Sequence, residues 1–367
     1  MKDITNNLIL ITGGASGIGR CMAFKFARRG SRVVVWDVNA AALKTLETEA
    51  AAEGLSVASN MCDIADRAAV DKQAKALIKE HGPVDILINN AGIVSGKKLL
   101  EIRDEDIIQT LNANVLSLFW MTRAFLPSML ERNSGHIVTI ASAAGLIGVQ
   151  GLADYCAGKF AAVGFDESVR MELRRIKSSV KTTVVCPYFI DTGMFEGVKT
   201  RFPLLLPILP EEKAAERIVK AVLRNKKRYI MPSFVYTTLI ARLFPPGFMD
   251  FLADLFGISR AMDTFTGREK PRPAAGPAKV PAEKAASGKR RGRPAGNAKA
   301  PAEKAASGGK RGRPAGGAKA SAGKAASGKR RGRPAGSGAK APAEKAASGK
   351  RRGRPANPAG GRGRSKT

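Results

Sequence analysis

Tyr155 and Lys159 stand four residues apart in the segment DYCAGKF, and Ser142 lies thirteen residues upstream at the end of the apolar run HIVTIAS. On a helix, positions i and i+4 share a face, so a phenol and an ammonium at this spacing can point into one cleft. A cation beside a phenol stabilises the phenolate and lowers its pKa, which yields a group able to exchange a proton with an alcohol or carbonyl near neutral pH. A serine hydroxyl at a neighbouring strand end can hold the reacting oxygen. Tyr-x-x-x-Lys pairs also occur on plain helix surfaces, so the meaning of this one rests on its surroundings.

The stretch TGGASGIG contributes Thr12, Gly13, Ser16, Gly17, Ile18 and Gly19 between an apolar run and a helical pattern. Glycines there permit a tight turn and let the backbone approach a pyrophosphate, whose charge the following helix N-terminus meets. Asp37 closes the next apolar run, 18 residues past Gly19. A carboxylate at that point accepts hydrogen bonds from adenosine ribose hydroxyls and repels a 2′-phosphate, which favours NAD(H) and leaves NADP(H) as second choice. The alternative for Asp37 is an N-cap of the helix starting near AAAL.

These groups need a scaffold that brings turns and helix starts together. Apolar, β-branched runs recur at LILIT (8–12), RVVVWD (32–37), VDILINN (84–90), HIVTIAS (136–142) and KTTVVCP (181–187). Continuous hydrophobicity of this kind suits strands buried on both faces. Helical patterns intervene and end at Gly54 and Gly82, as helices often do. Strand and helix in alternation predict an α/β fold, a doubly wound parallel sheet of Rossmann type. The four cysteines have no metal-type or disulfide-scaffold spacing, so no metal is expected and a reducing, cytoplasmic home is. The polar opening MKDITNN predicts no signal peptide, and Arg242, Asp250, Asp254, Pro245 and Pro246 interrupt the longest apolar stretch, 234–258, so no transmembrane helix is expected.

Composition changes sharply near Lys270. Residues 270–367 hold 28 lysines and arginines against three glutamates, +25 of the chain's +31, with no aromatic residue and Val280 as the one large aliphatic. Such a segment cannot bury enough apolar surface to order itself and is predicted to be disordered, whereas residues 1–269 are long enough for one sizeable core. The tail repeats an Arg-Gly-Arg-Pro core four times: Arg291, Gly292, Arg293, Pro294; Arg311, Gly312, Arg313, Pro314; Arg331, Gly332, Arg333, Pro334; Arg352, Gly353, Arg354, Pro355. Each resembles the AT-hook, whose core lies extended in the minor groove of A·T-rich DNA with arginines in the narrow, electronegative groove. Linked copies gain by effective concentration. A solvating tail, or one drawn to anionic lipid, is the alternative.

TGxxxGxG at 12–19, NNAG at 89–92, Asn114, Ser142 and YxxxK at 155–159 occur together in an order that resembles the short-chain dehydrogenases/reductases over residues 5 to about 265. The resemblance implies Ser142 orienting the substrate oxygen, Tyr155 as acid/base, Lys159 lowering its pKa and binding the nicotinamide ribose, and Asn114 holding a proton-relay water. It also implies Asp63 with Ile64 at the adenine, Asn89 to Gly92 (with Asn90 and Ala91) flooring the cofactor cleft, and Pro187, Ile190 and Thr192 near the nicotinamide. The wording IVSGKKLLE, LFWMTRAFLPSMLERNSGHIVTIAS and CPYFIDTGMFEG is similar to the branch holding retinol dehydrogenase 10 and 17-beta-hydroxysteroid dehydrogenases 11 and 13. That branch implies hydride transfer between NAD(P) and a retinol-, steroid- or fatty-alcohol-like substrate, membrane or lipid-droplet contact, and a homodimer or homotetramer. The chain departs from it at Tyr188 and at Gly158, and the polar opening MKDITNN predicts no N-terminal apolar anchor of the kind usual in that branch.

The expectation is therefore a dehydrogenase domain at 1–269, with a substrate lid and cover at about 193–262, followed by a DNA-tethering tail that draws the enzyme to nucleoid or chromatin. RFPLLLPILP (201–210) and 234–258 serve that lid, or else ordinary core and dimer contacts. The alternative function is a DNA-associated scaffold or NAD-sensing regulator built on a dehydrogenase fold.

Overall fold

The computed structural model describes residues 3–267; the Arg-Gly-Arg-Pro repeats predicted to contact DNA lie outside the described residues. The chain runs β1 (Leu8–Thr12), α1 (Gly17–Ala27), β2 (Arg32–Asp37), α2 (Ala40–Ala52), β3 (Val57–Met61), α3 (Arg67–His81) and β4 (Ile86–Asn89). It continues through α4 (Asp104–Leu111), α5 (Ser117–Glu131), β5 (His136–Ile140), α6 (Ala153–Arg175) and β6 (Lys181–Pro187). Two short strands, β7 (Ile190–Asp191) and β8 (Leu209–Pro210), precede α7 (Glu211–Leu223), β9 (Arg228–Met231), α8 (Thr237–Ala241) and α9 (Pro246–Leu255).

Seven strands form one parallel sheet in the order β3-β2-β1-β4-β5-β6-β9, so the doubly wound expectation holds. Successive residues of a strand face opposite sides, and β1 divides accordingly. Ile9 and Ile11 pack with Phe24, Phe26, Leu43 and Ile218 of α1, α2 and α7. Leu8 and Leu10 pack with Val70, Leu77, Phe125 and Leu173 of α3, α5 and α6. Both faces being covered explains why these strands read as unbroken apolar runs.

The edge strand β3, VASNM, is only half-buried, and β9, RYIM, spans four residues; neither carries an apolar run, which is why neither announced itself in the sequence. The helix starts have local causes: Asn39 caps α2 by accepting from Ala42 N at 3.1 Å, and Asp66 caps α3 through Ala68 N at 2.8 Å. The cap of α2 is thus Asn39 and not Asp37, whose carboxylate is left to other partners. Sheet order reverses between β1 and β4, and in open α/β sheets the crevice at such a switch point, beyond the strand C-termini, is where ligands sit.

Candidate active site

The turn after β1 and the segment after β4 meet in that crevice. Gly13 has φ +62°, and a Cβ there would fall 2.7 Å from Ala91 Cα; a Cβ at Gly19 would fall 2.3 Å from Gly13 O. Only glycines let these backbones come together. Thr12 Oγ1 accepts from Asn90 N and Ala91 N at 3.1 Å each, and Asn90 Nδ2 donates to Thr12 O and Gly13 O at 3.0 Å each. The two segments are stapled into one floor.

A cavity of about 550 Å³ opens over this floor, within the range of small-molecule sites. One end of it takes up Gly13, Ser16, Gly17, Ile18 and Gly19 from the turn and Asp37, Asp63 and Ile64 from the ends of β2 and β3, the residues expected to meet the cofactor. Asn90, Ala91 and Gly92 form the floor, and Pro187, Ile190 and Thr192 close the far wall. Thr12 and Asn114 lie behind the lining and support it. Asn89, expected on the floor, is absent from the lining; it ends β4 facing the core, 4% exposed, with neither amide atom hydrogen-bonded among the described residues. Asp37 accepts from Ala15 N at 3.1 Å and from Asn39 N at 3.0 Å, tying the glycine turn to β2.

Ser142, Tyr155 and Lys159 converge on the same cavity. Ser142 follows β5, accepts from Ala144 N at 3.1 Å and donates to Pro187 O at 3.4 Å, and it hydrogen-bonds the Tyr155 phenol. The first turn of α6 carries Tyr155, 5% exposed, its ring edge-on to Phe195 at 5.6 Å between centroids. One turn on, Lys159 Nζ donates to Ile140 O at 2.9 Å and stands 5.5 Å from the Tyr155 ring centroid. Burial pulls the ammonium down to about 8. Burial also drives the phenol above its ordinary value, outweighing the opposing hydrogen bond with Ser142. Desolvation is the largest influence on the phenol, since burial disfavours its charged form.

Asn114 sits in a π-helical turn, Asn112–Leu116, between α4 and α5. Its Oδ1 accepts from Ile93 N and its Nδ2 donates to Ile93 O, both at 2.9 Å, so the side chain clamps the backbone at Ile93. A Cβ at Gly92 would lie 3.0 Å from Asn114 Oδ1 and 3.4 Å from Lys159 Nζ, so glycine keeps this part of the floor clear. A Cβ at Gly158 would lie 3.2 Å from the Asn114 Cβ, which accounts for glycine where a small hydroxyl is usual.

The substrate half was only coarsely legible. Ile147, Val149, Leu152, Met194 and Phe195 surround the Tyr155 end, and Leu206, Phe234, Leu252 and Phe256 come from the expected lid and cover. Within the whole lining, the charged residues are Asp37, Asp63 and Lys159. Phe195 carried a signal, an aromatic shortly after the substrate-side strand, but nothing in the sequence aimed it at Tyr155.

A parallel seven-stranded sheet with this turn, floor and Ser-Tyr-Lys group places the chain in the short chain dehydrogenase family, which residues 7–201 match. Among relatives, it is 45% identical over 274 residues to epidermal retinol dehydrogenase 2 of Homo sapiens, 73% of this chain and 88% of that one. It is 38% identical over 298 residues to retinol dehydrogenase 10 of Homo sapiens, 73% of this chain and 87% of that one. Among solved structures, a short-chain dehydrogenase/reductase from Burkholderia phymatum in complex with NAD superposes with TM-score 0.60 at 28% identity, covering 66% of this chain and 95% of the other.

Proposed function

We propose that the protein oxidises or reduces a neutral lipophilic substrate, a retinol-, steroid- or fatty-alcohol-like molecule, with NAD in preference to NADP. The observation that carries this reading is the composition of the cavity wall: every charged lining residue belongs to the cofactor half or to the Tyr-Lys pair, and the rest is uncharged and mainly apolar, with Gln109, Tyr188, Thr237 and Thr238 among its polar members. A carboxylated or phosphorylated substrate would find no counter-charge there.

The cofactor fits the cleft by its residues. The glycine turn and the N-terminus of α1 receive the pyrophosphate, Asp37 the adenosine ribose hydroxyls, Asp63 and Ile64 the adenine, Lys159 the nicotinamide ribose, and Pro187, Ile190 and Thr192 the nicotinamide side. When bound, the nicotinamide accepts or returns the hydride. Ser142 holds the substrate oxygen, and Tyr155 takes the hydroxyl proton in oxidation or gives it in reduction. Lys159, charged below about pH 8, favours the phenolate at that moment. The walls from 193–262 exclude water from the transfer.

The tail reading stands on the sequence alone: four Arg-Gly-Arg-Pro cores at spacings of 20, 20 and 21 residues point to A·T-rich DNA and to a nucleoid- or chromatin-associated enzyme of the cytoplasm or nucleus. Peripheral contact with a lipid surface is favoured by α9, none of whose residues is buried while Phe248, Phe251 and Leu255 are exposed. Among the described residues no helix is long and apolar enough to cross a membrane. Assembly into a dimer or tetramer completes the reading.

NADH formation by full-length protein across retinol, steroid and long-chain alcohols, with Tyr155→Phe as control, tests the enzymatic claim; tyrosine-independent signal overturns it. Truncation before Lys270 is expected to abolish binding to A·T-rich duplex without changing turnover, and retained affinity would assign DNA binding elsewhere.

A further inference from the structure

The residue before the proposed acid/base is a buried carboxylate with no part in the chemistry described above. Asp154 is 6% exposed, and no ion pair joins it to another described residue. Its two oxygens take separate hydroxyls: Oδ1 accepts from Ser95 Oγ at 2.9 Å, and Oδ2 accepts from Thr110 Oγ1 at 3.0 Å. A buried carboxyl is tolerated when its oxygens are hydrogen-bonded, as these are, and Asp154 lies in the first turn of α6.

These partners belong to the two elements that flank the reacting centre. Ser95 is in the loop after the NNAG floor, two residues past Ile93, the residue clamped by Asn114. Thr110 is in the last turn of α4, four residues before Asn114. The bonds therefore close a ring: Asp154 to Ser95, along the loop to Ile93, across to Asn114, back through the π turn to Thr110, and again to Asp154. A π turn breaks the regular i→i+4 ladder and leaves the rotation of α4 against α5 to be set by tertiary contacts. The loop is pressed from outside as well, since a Cβ at Gly96 would fall 1.9 Å from the Phe265 ring.

We infer that Asp154 is a positioning residue, which holds the substrate-side loop 93–97 and the Asn114 turn in register with Tyr155. It touches neither the proposed substrate nor the cofactor: Asp154 is not part of the cavity lining. The inference rests on the dehydrogenase reading for its kinetic consequence but not for its structural one. Misplacement of a reacting group by about 1 Å is enough to lower turnover on the order of 100-fold, so restraint of this kind is felt in kcat.

The test uses full-length protein, the best alcohol substrate of the wild type, and two readouts. Asp154→Ala removes both acceptors and is expected to lower kcat roughly 10- to 100-fold while leaving NAD affinity within about twofold. Asp154→Asn keeps the shape, and hydroxyls can turn to accept from its amide, so kcat should return to within about threefold of wild type. Hydrogen exchange of the 93–97 amides should quicken in Asp154→Ala and stay near wild type in Asp154→Asn. Where Asp154→Ala does not fold, Ser95→Ala severs the loop bond alone and carries the same expectation at smaller size. Unchanged kcat together with unchanged exchange at 93–97 in a folded variant overturns the positioning role. A wild type inert toward every alcohol would instead remove the dehydrogenase reading, and the exchange measurement would still decide the role of Asp154.

Discussion

Lys159 Nζ stands 5.5 Å from the centre of the Tyr155 ring, with its hydrogen bond given to the Ile140 carbonyl. The pair shares one face of α6, in a site whose burial moves both pKa values toward the neutral forms. With Tyr155 as the proposed acid/base, Tyr155→Phe should cut turnover by about 10²- to 10⁴-fold, the usual size of a general acid–base contribution. NAD binding, followed by fluorescence quenching, should stay near wild type; full residual activity would remove the assignment.

The lowered Lys159 pKa has a sign that can be checked. The ammonium is charged below about pH 8 and neutral above it. If it binds the nicotinamide ribose as proposed, NAD affinity should weaken as pH rises from about 7 to 9, and Lys159→Met should flatten that profile. Calorimetric titrations of the free enzyme across this range would show either a slope that the variant loses or none.

Asp37 holds backbone groups of two loops, so Asp37→Ala should do two things at once. The preference for NAD over NADP should fall by roughly tenfold or more, about 1.4 kcal/mol per decade. Ala15 N and Asn39 N would also lose their acceptor, and weaker binding of both cofactors should follow. Ratios of kcat/KM for the two cofactors measure the first effect, and an unchanged ratio would place cofactor choice elsewhere.

Asp166 is a buried acid away from the cavity lining. Burial pushes its carboxyl up to about 7, with Thr182 and Arg170 opposing. The folded protein therefore binds a proton between the ordinary carboxylate range and about pH 7 that the unfolded chain does not. Stability from this group is present at low pH and is lost as pH rises through about 7. Asp166→Asn should raise the melting temperature at pH 8 and leave it nearly unchanged at pH 4; equal effects at both pH values would contradict the assignment.

Phe125 is fully buried on the α3/α5 side of the sheet, its ring 5.9 Å from that of Trp36. Truncation to alanine should cost about 3–5 kcal/mol, as large aromatic deletions in cores do. Chemical denaturation reads the loss directly, and cofactor affinity measured below the transition should be spared.

How much of this was legible in advance follows from where each signal lives. β1, β2 and β6 lie where their apolar runs predicted, because strands covered on both faces are largely apolar. β3 and β9 escaped notice because an edge or a four-residue strand needs little apolar sequence. The glycine turn was readable because only glycine fits the approach of Gly13 to Ala91. Asn89 was misplaced because the motif NNAG does not say which asparagine amide faces the cleft and which the core. Asp154 had no local signal, and Phe195 had none that aimed it at Tyr155, since their partners are distant in sequence.

By itself the sequence determined the α/β alternation, the glycine turn, the Ser142, Tyr155 and Lys159 group and the change of composition near Lys270. Each of these is a matter of residue type, spacing or local periodicity. Tertiary structure alone decided that the Asn114 side chain clamps Ile93, that Lys159 bonds the Ile140 carbonyl, and that Asp154 joins a loop to a helix. The reason is physical: a side chain's charge and hydrogen bonds depend on how much water the packed neighbours remove and which distant groups they bring within about 3 Å, and neither is written in the order of the residues.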